Sequence, residues 1–174
     1  MSKDLDEDLL VAAGALLNLL TQHGWSLGTA ESLTGGMVGQ VITAVPGASV
    51  SYMGGVISYT DREKTALLGV SAELLKQRGA VSAEVAEAMA QGCRERLNVQ
   101  VGLATTGVAG PTSDDRGTPV GTVFVVCATP HACAVERLLL DGDRRYIRVE
   151  STRAALRLAI RLVTATPPRA EETI

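Results

Sequence analysis

The sequence predicts a single α/β domain of three α/β/α layers, with a mixed sheet of about five strands. Three observations carry that expectation. Through the first two-thirds of the chain, apolar residues switch repeatedly between helical and strand spacing. Near the end, two strand-like runs are joined by a short turn, so part of the sheet is expected to be antiparallel. The 174 residues, 46% hydrophobic and 20% charged, suffice for one compact core. The domain is expected over 1–166, with a flexible tail at 167–174.

Residues 5–22 form the first predicted helix, with Leu9, Ala13, Leu16, Leu17 and Leu20 at helical spacing. Four acids near its start suit the positive end of the helix dipole, and Gly24 supplies a stop. A strand over 25–30 leads into Ala30-Glu31-Ser32-Leu33-Thr34-Gly35-Gly36. A helix over 35–44 follows, with Val38, Val41 and Ile42 inward, and Pro46-Gly47 ends it. Residues 51–59 are rich in strand formers, although Gly54-Gly55 weakens the run or marks a close backbone approach. Asp61 is the expected cap of a short helix through Leu68, and Ser71 of another through Arg78. Ser82 caps a longer one, whose Val85, Met89, Cys93 and Leu97 form a core stripe. Residues 99–105 read as a buried strand ending in Thr106-Gly107, and 108–119 as a polar loop of the length that often carries function. Strands over 120–128 and 133–140 join at Thr129-Pro130-His131, and a helix over 145–164 closes the domain.

Composition narrows the function. A net charge of −3 argues against a chain whose main task is coating nucleic acid. The N-terminus is acidic where a signal peptide would be basic, and no run approaches the about 20 apolar residues of a membrane span. No nucleic-acid or membrane partner is expected, and the location is expected to be cytoplasmic. Cys93, Cys127 and Cys133 lack metal-type spacing and read most simply as buried free thiols. There is no GxGxxG after a strand and no Walker-type loop, so dinucleotide and P-loop sites fail. His23 and His131 have no strand-end position, which leaves a Ser-His-Asp triad or a metal cluster without support. Neither a metal nor a cofactor is expected.

Four stretches can carry chemistry. Ser32 sits at a strand-to-helix junction, where backbone N–H groups of residues 33–36 can hold an anion and two glycines permit close approach. By pattern alone, Ser32 or Thr34 capping the helix is the simpler reading. Tyr59 and Lys64 flank a second such junction. There a helix start lowers the pKa of a lysine and makes it a candidate base, although an exposed lysine paired with Glu63 or Glu73 is the commoner case. Ala104-Thr105-Thr106-Gly107-Val108-Ala109-Gly110-Pro111 is a third strand-end turn, which turn chemistry alone also explains. Arg144, Arg145 and Arg148 open the last helix at the end that disfavours cations, which an anionic ligand would justify. Arg153, Arg157 and Arg161 read as a solvated face.

These motifs occur together, in this order, in one known family. AESLTGG, Gly54-Gly55-Val56-Ile57-Ser58-Tyr59 running to Lys64, Gly79-Ala80-Val81-Ser82, TTGVAGP, Pro119-Val120-Gly121-Thr122-Val123 and Gly142-Asp143-Arg144 resemble the CinA C-terminal domain family over about residues 8–164. Characterised members of that family include nicotinamide-nucleotide amidases. The resemblance implies a hydrolase that converts nicotinamide mononucleotide to nicotinic acid mononucleotide and ammonia, in pyridine nucleotide recycling. It implies Ser32 as nucleophile, Lys64 as base and Tyr59 as aid to proton transfer. Substrate contacts are expected from Thr34, Gly35, Gly36, Thr106, Gly107, Ala109, Arg144 and Arg148, and a homo-oligomer is expected. Leu33 stands where many members have cysteine, so that cysteine is not needed for the chemistry. The loop Thr112-Ser113-Asp114-Asp115-Arg116-Gly117-Thr118 replaces a more usual Gly-rich stretch ending in lysine. The N-terminal domain of two-domain members is absent from these residues, and its activity is not expected. Two alternatives stay open: a non-catalytic module linked to competence and recombination, and an amidase acting on a different amide.

Overall fold

The computed structural model describes residues 6–166. The expected tail, and the first residue of the first predicted helix, lie outside them. Helix α1 spans Glu7–His23, opened by Asp6, whose carboxylate accepts from the Asp8 N–H, and closed by Gly24 in the left-handed conformation. Strand β1 (Leu27–Glu31) and helix α2 (Met37–Thr43) follow, then a 3-10 turn at Ala48–Val50 and strand β2 (Tyr52–Ile57). Three helices come next: α3 (Asp61–Leu68), α4 (Ala72–Arg78) and α5 (Ala83–Leu97). Strands β3 (Val101–Gly107), β4 (Thr122–Ala128) and β5 (Cys133–Leu139) lead to helix α6 (Arg144–Ala165).

Local chemistry sets most of these limits. Ser71 and Ser82 cap α4 and α5 as expected, each hydroxyl accepting a first-turn N–H. Helix α3 differs: its cap is Thr60, whose Oγ1 accepts from the Glu63 N–H at 3.3 Å, while Asp61 is already helical. The extended backbone of Thr60 is what a cap requires. Asp143 caps α6, so that helix begins one residue before its expected start.

The strand order is β2-β1-β3-β4-β5. β1 runs parallel to both neighbours, whereas β3–β4 and β4–β5 are antiparallel. From β1 the chain passes through α2 to β2 on one side, then returns over α3, α4 and α5 to β3 on the other. The connections therefore part at the carboxyl end of β1, the place in an open α/β sheet where a crevice forms.

Alternation along the strands divides the core. Leu27, Leu103 and Val125 face α1, α2 and α6 through Leu16, Ile42 and Leu156. Ala30, Ala104 and Val126 face the other layer through Leu68, Val85 and Met89. With few aromatics, tight packing relies on small residues. A methyl group on Gly92 of α5 would lie 1.9 Å from the Leu68 carbonyl oxygen at the end of α3. Gly92→Ala is therefore expected to destabilise the protein by about 1–3 kcal/mol, measured by denaturant unfolding. An unchanged midpoint would show that α3 yields freely.

Two expectations change here. Arg153 is not part of a solvated face: its side chain is 14% exposed and its guanidinium pairs with Asp6 and Glu150, tying α6 to α1. The cysteines also divide. Cys93 and Cys127 are buried, and burial pushes both thiols up to about 12, but Cys133 is exposed at the start of β5.

Candidate active site

The carboxyl ends of the three parallel strands meet at one cleft of about 250 Å³. Ser32 follows β1, Tyr59 and Lys64 follow β2, and Thr106, Gly107 and Ala109 lie at or beyond the end of β3; all six line the cleft. A larger cavity of about 540 Å³ lies between α1, α2 and α6, next to Met37, Arg145 and Tyr146, and holds none of these groups.

Ser32 is held by its backbone. Its N–H donates to the Thr105 carbonyl at 3.0 Å, and its own carbonyl accepts from Gly35 at 3.0 Å. Gly35 and Gly36 take positive φ angles of 59° and 97°, which turn the chain into α2. Lys64 arrives from the first half of α3 and is 1% exposed. Its Nζ lies 3.2 Å from Ser32 Oγ and donates to the Ser58 carbonyl at 3.1 Å. Burial holds its amine below the ordinary 10.5, and the nearby Asp61 carboxylate only partly opposes this. The lysine is thus neither exposed nor paired with Glu63 or Glu73, and its pKa is lowered by burial.

A neutral amine has two N–H bonds and one lone pair. With one hydrogen directed to the Ser58 carbonyl, the lone pair can face the Ser32 hydroxyl. That is the geometry of a nucleophile beside its base. Tyr59 is 54% exposed at the mouth, where Arg144 Nη2 donates to its hydroxyl oxygen at 2.8 Å. Arg144 Nη1 donates to the Gly110 carbonyl at 2.8 Å, so one guanidinium bridges both rims of the cleft.

The helix start beside Ser32 is not free for a ligand. Glu31 is buried, and its carboxylate accepts from the N–H groups of Gly36 (2.9 Å), Val38 (3.0 Å) and Gly39 (2.8 Å). The Thr34 hydroxyl donates to the same carboxylate at 2.7 Å and lies 2.8 Å from Thr105 Oγ1. The protein thus supplies its own anion to the N-terminus of α2. Thr34, Gly35 and Gly36 serve this turn rather than the cleft lining, and neither Ser32 nor Thr34 caps α2 with its side chain. Arg148 is also occupied: Nε donates to the Leu33 carbonyl at 3.1 Å and Nη2 to the Thr34 carbonyl at 2.7 Å. Among the described residues, the N–H groups of Leu33 and Thr34 meet no acceptor.

A family model for the CinA C-terminal domain matches residues 11–163. The chain belongs to that family. A CinA-like protein of Geotalea daltonii is 43% identical over 86% of this chain and 36% of its own length. Another CinA-like protein, from Solibacter usitatus, is 44% identical over 91% of this chain and 37% of its own length. The chain thus spans about a third of the length of these curated relatives. Among solved structures, the competence/damage inducible protein CihA from Agrobacterium tumefaciens is 32% identical, with a TM-score of 0.88, over 93% of this chain and 99% of that one. A CinA superfamily protein from Escherichia coli is 31% identical, with a TM-score of 0.87, over 92% of this chain and 94% of that one.

Within this CinA domain, sequence reasoning passed over Glu31 as a working residue. The signal was present: a carboxylate five residues before Gly36, in a segment otherwise poor in charge. Glu31→Ala would leave the buried N–H groups of Val38 and Gly39 and the half-buried N–H of Gly36 without an acceptor, an expected loss of about 3–5 kcal/mol. For a chain of this size, that lowers Tm by about 10 °C in a thermal melt. A shift below about 2 °C would show that water replaces the carboxylate freely.

Proposed function

We propose that this CinA domain hydrolyses the carboxamide of nicotinamide mononucleotide, giving nicotinic acid mononucleotide and ammonia. The observation that carries the reading is a lysine 1% exposed whose Nζ stands 3.2 Å from a serine hydroxyl in the strand-end cleft. Ser32 Oγ attacks the carboxamide carbon while its proton passes to neutral Lys64. The oxyanion is held by backbone donors, among them the N–H of Leu33, the residue after the nucleophile. Collapse of the intermediate returns a proton to the departing nitrogen, with Tyr59 assisting, and ammonia leaves. Water then attacks the nicotinoyl-serine ester with Lys64 again taking the proton, and the carboxylate is released.

The phosphate is assigned to Arg144. Glu31 occupies the start of α2 and Arg148 is engaged with backbone carbonyls, whereas Arg144 stands at the open mouth. The reading as a non-catalytic module gains no support from this site. Burying a lysine without a carboxylate bonded to it costs stability and serves no docking surface. The test is ammonia release from nicotinamide mononucleotide by the purified, folded protein. Turnover is expected, and its absence would overturn the proposal.

A further inference from the structure

The cleft is electrically uneven. Asp61 and Asp114 both line it, and Arg144 stands at its mouth beside Tyr59 and Gly110. Asp114 belongs to the segment 112–118. Its Oδ1 accepts from the N–H groups of Arg116 (3.0 Å) and Thr118 (2.7 Å), which closes the loop on itself. Burial opposes its ionisation, but the hydrogen bonds from Thr118 and Arg116 hold its carboxyl below the ordinary carboxylate value. The charge of Arg116 acts on Asp114, but its guanidinium forms its hydrogen bonds elsewhere. The Arg116 guanidinium donates to the carbonyls of Leu75 (3.2 Å), Lys76 and Gln77 (3.5 Å) at the end of α4. Cations suit the carboxyl end of a helix, and these bonds pin the loop as one wall of the cleft. The carboxylate on that wall is therefore held in place without a contact ion pair.

We propose that Asp114, together with Asp61, selects an amide borne on a cationic ring that carries an anionic group at its far end. The ring lies towards the two carboxylates and the anion towards Arg144. A substrate with only one of these charges satisfies half of the site, and a neutral amide satisfies neither half. The inference rests on the amidase reading and deepens it, because a pyridinium mononucleotide carries both charges and its ring charge is permanent.

The test compares nicotinamide mononucleotide with its 1,4-dihydro form, which keeps the size and phosphate but has an uncharged ring. Binding of each is measured by calorimetry to the Ser32→Ala protein, which holds the ligand without turnover. The same is done for Ser32→Ala carrying Asp114→Asn. Asparagine keeps the Oδ1 acceptor that closes the loop, removes the charge and turns the second oxygen into an NH2 donor. Ser32→Ala is expected to bind the cationic ring about fivefold more tightly than the neutral one, and the double variant, which retains Asp61, to keep a preference of only about twofold. Affinity for the neutral ring should be the same in both proteins.

An unchanged preference for the cation in the double variant would overturn the proposal. So would an equal loss of affinity for both ligands, which marks a damaged loop. Wild-type ammonia release separates the two ideas. Turnover with an Asp114-independent preference leaves the amidase standing and removes this inference. A preference that falls to about twofold in the double variant, without wild-type turnover, supports the charge reading and removes the amidase.

Discussion

Ser32→Ala is expected to lower ammonia release from nicotinamide mononucleotide by at least about 10⁴-fold, because it removes the atom that forms the ester. The fold should be untouched. The backbone bonds that hold position 32, to the Thr105 carbonyl and from the Gly35 N–H, do not involve the side chain. Among the described residues, the hydroxyl is bonded only to Lys64. Tm should therefore stay within about 2 °C of the wild type, and ligand binding should survive. A thermal melt, calorimetry and an ammonia assay on the same preparation check all three. Residual turnover within tenfold of wild type would remove Ser32 as nucleophile.

Substitution of Lys64 separates charge from basicity. Arginine cannot release a proton in a useful range, so Lys64→Arg loses the base while keeping the charge. In a site 1% exposed, that permanent charge also costs stability, so the variant should be both inactive and less stable. Lys64→Met is neutral and of similar length; activity should fall by about 10²–10⁴-fold while the protein still folds.

The pH dependence follows from the lowered pKa. Between Lys64's folded value and 10.5, the unfolded chain holds a proton that the folded chain has released. Stability contributed by this group therefore rises with pH across that window and is lost as pH falls through the folded value. The wild-type rate should rise across the same folded value, where the amine becomes neutral, and then level off. Lys64→Met should lack both the rise in stability and the rise in rate. An active Lys64→Arg enzyme would contradict the general-base role, as would identical stability profiles in wild type and Lys64→Met.

Much of the site was legible because it is built from short local signals. A strand running into a hydroxyl-bearing turn occurs three times, at Ser32, Thr60 and Thr106, with glycines in the first and third turns, and parallel strands bring such ends to one edge of a sheet. What was misread depended on partners distant in the chain. Arg144 and Arg148 look alike in sequence, one turn apart at the start of α6. One reaches Tyr59 and Gly110 at the cleft mouth, and the other is consumed by the Leu33 and Thr34 carbonyls. Thr34 reads as a cap or a ligand, yet it is buried between Glu31 and Thr105. Cys133 reads as a buried thiol because alternation in an edge strand does not say which face is covered.

The sequence by itself determined the layered α/β architecture, the capped helices α4 and α5, and the strand-end turns where chemistry can sit. These follow from apolar period, cap residues and glycine, all read within a few neighbouring positions. Only the tertiary structure decided that Lys64 is buried against a hydroxyl 32 residues away, and that Glu31 closes the helix start expected to hold an anion. The reason is physical. Whether an amine stays charged, or an N–H stays free, depends on what packing removes from water around it, and that is set by elements distant in the chain.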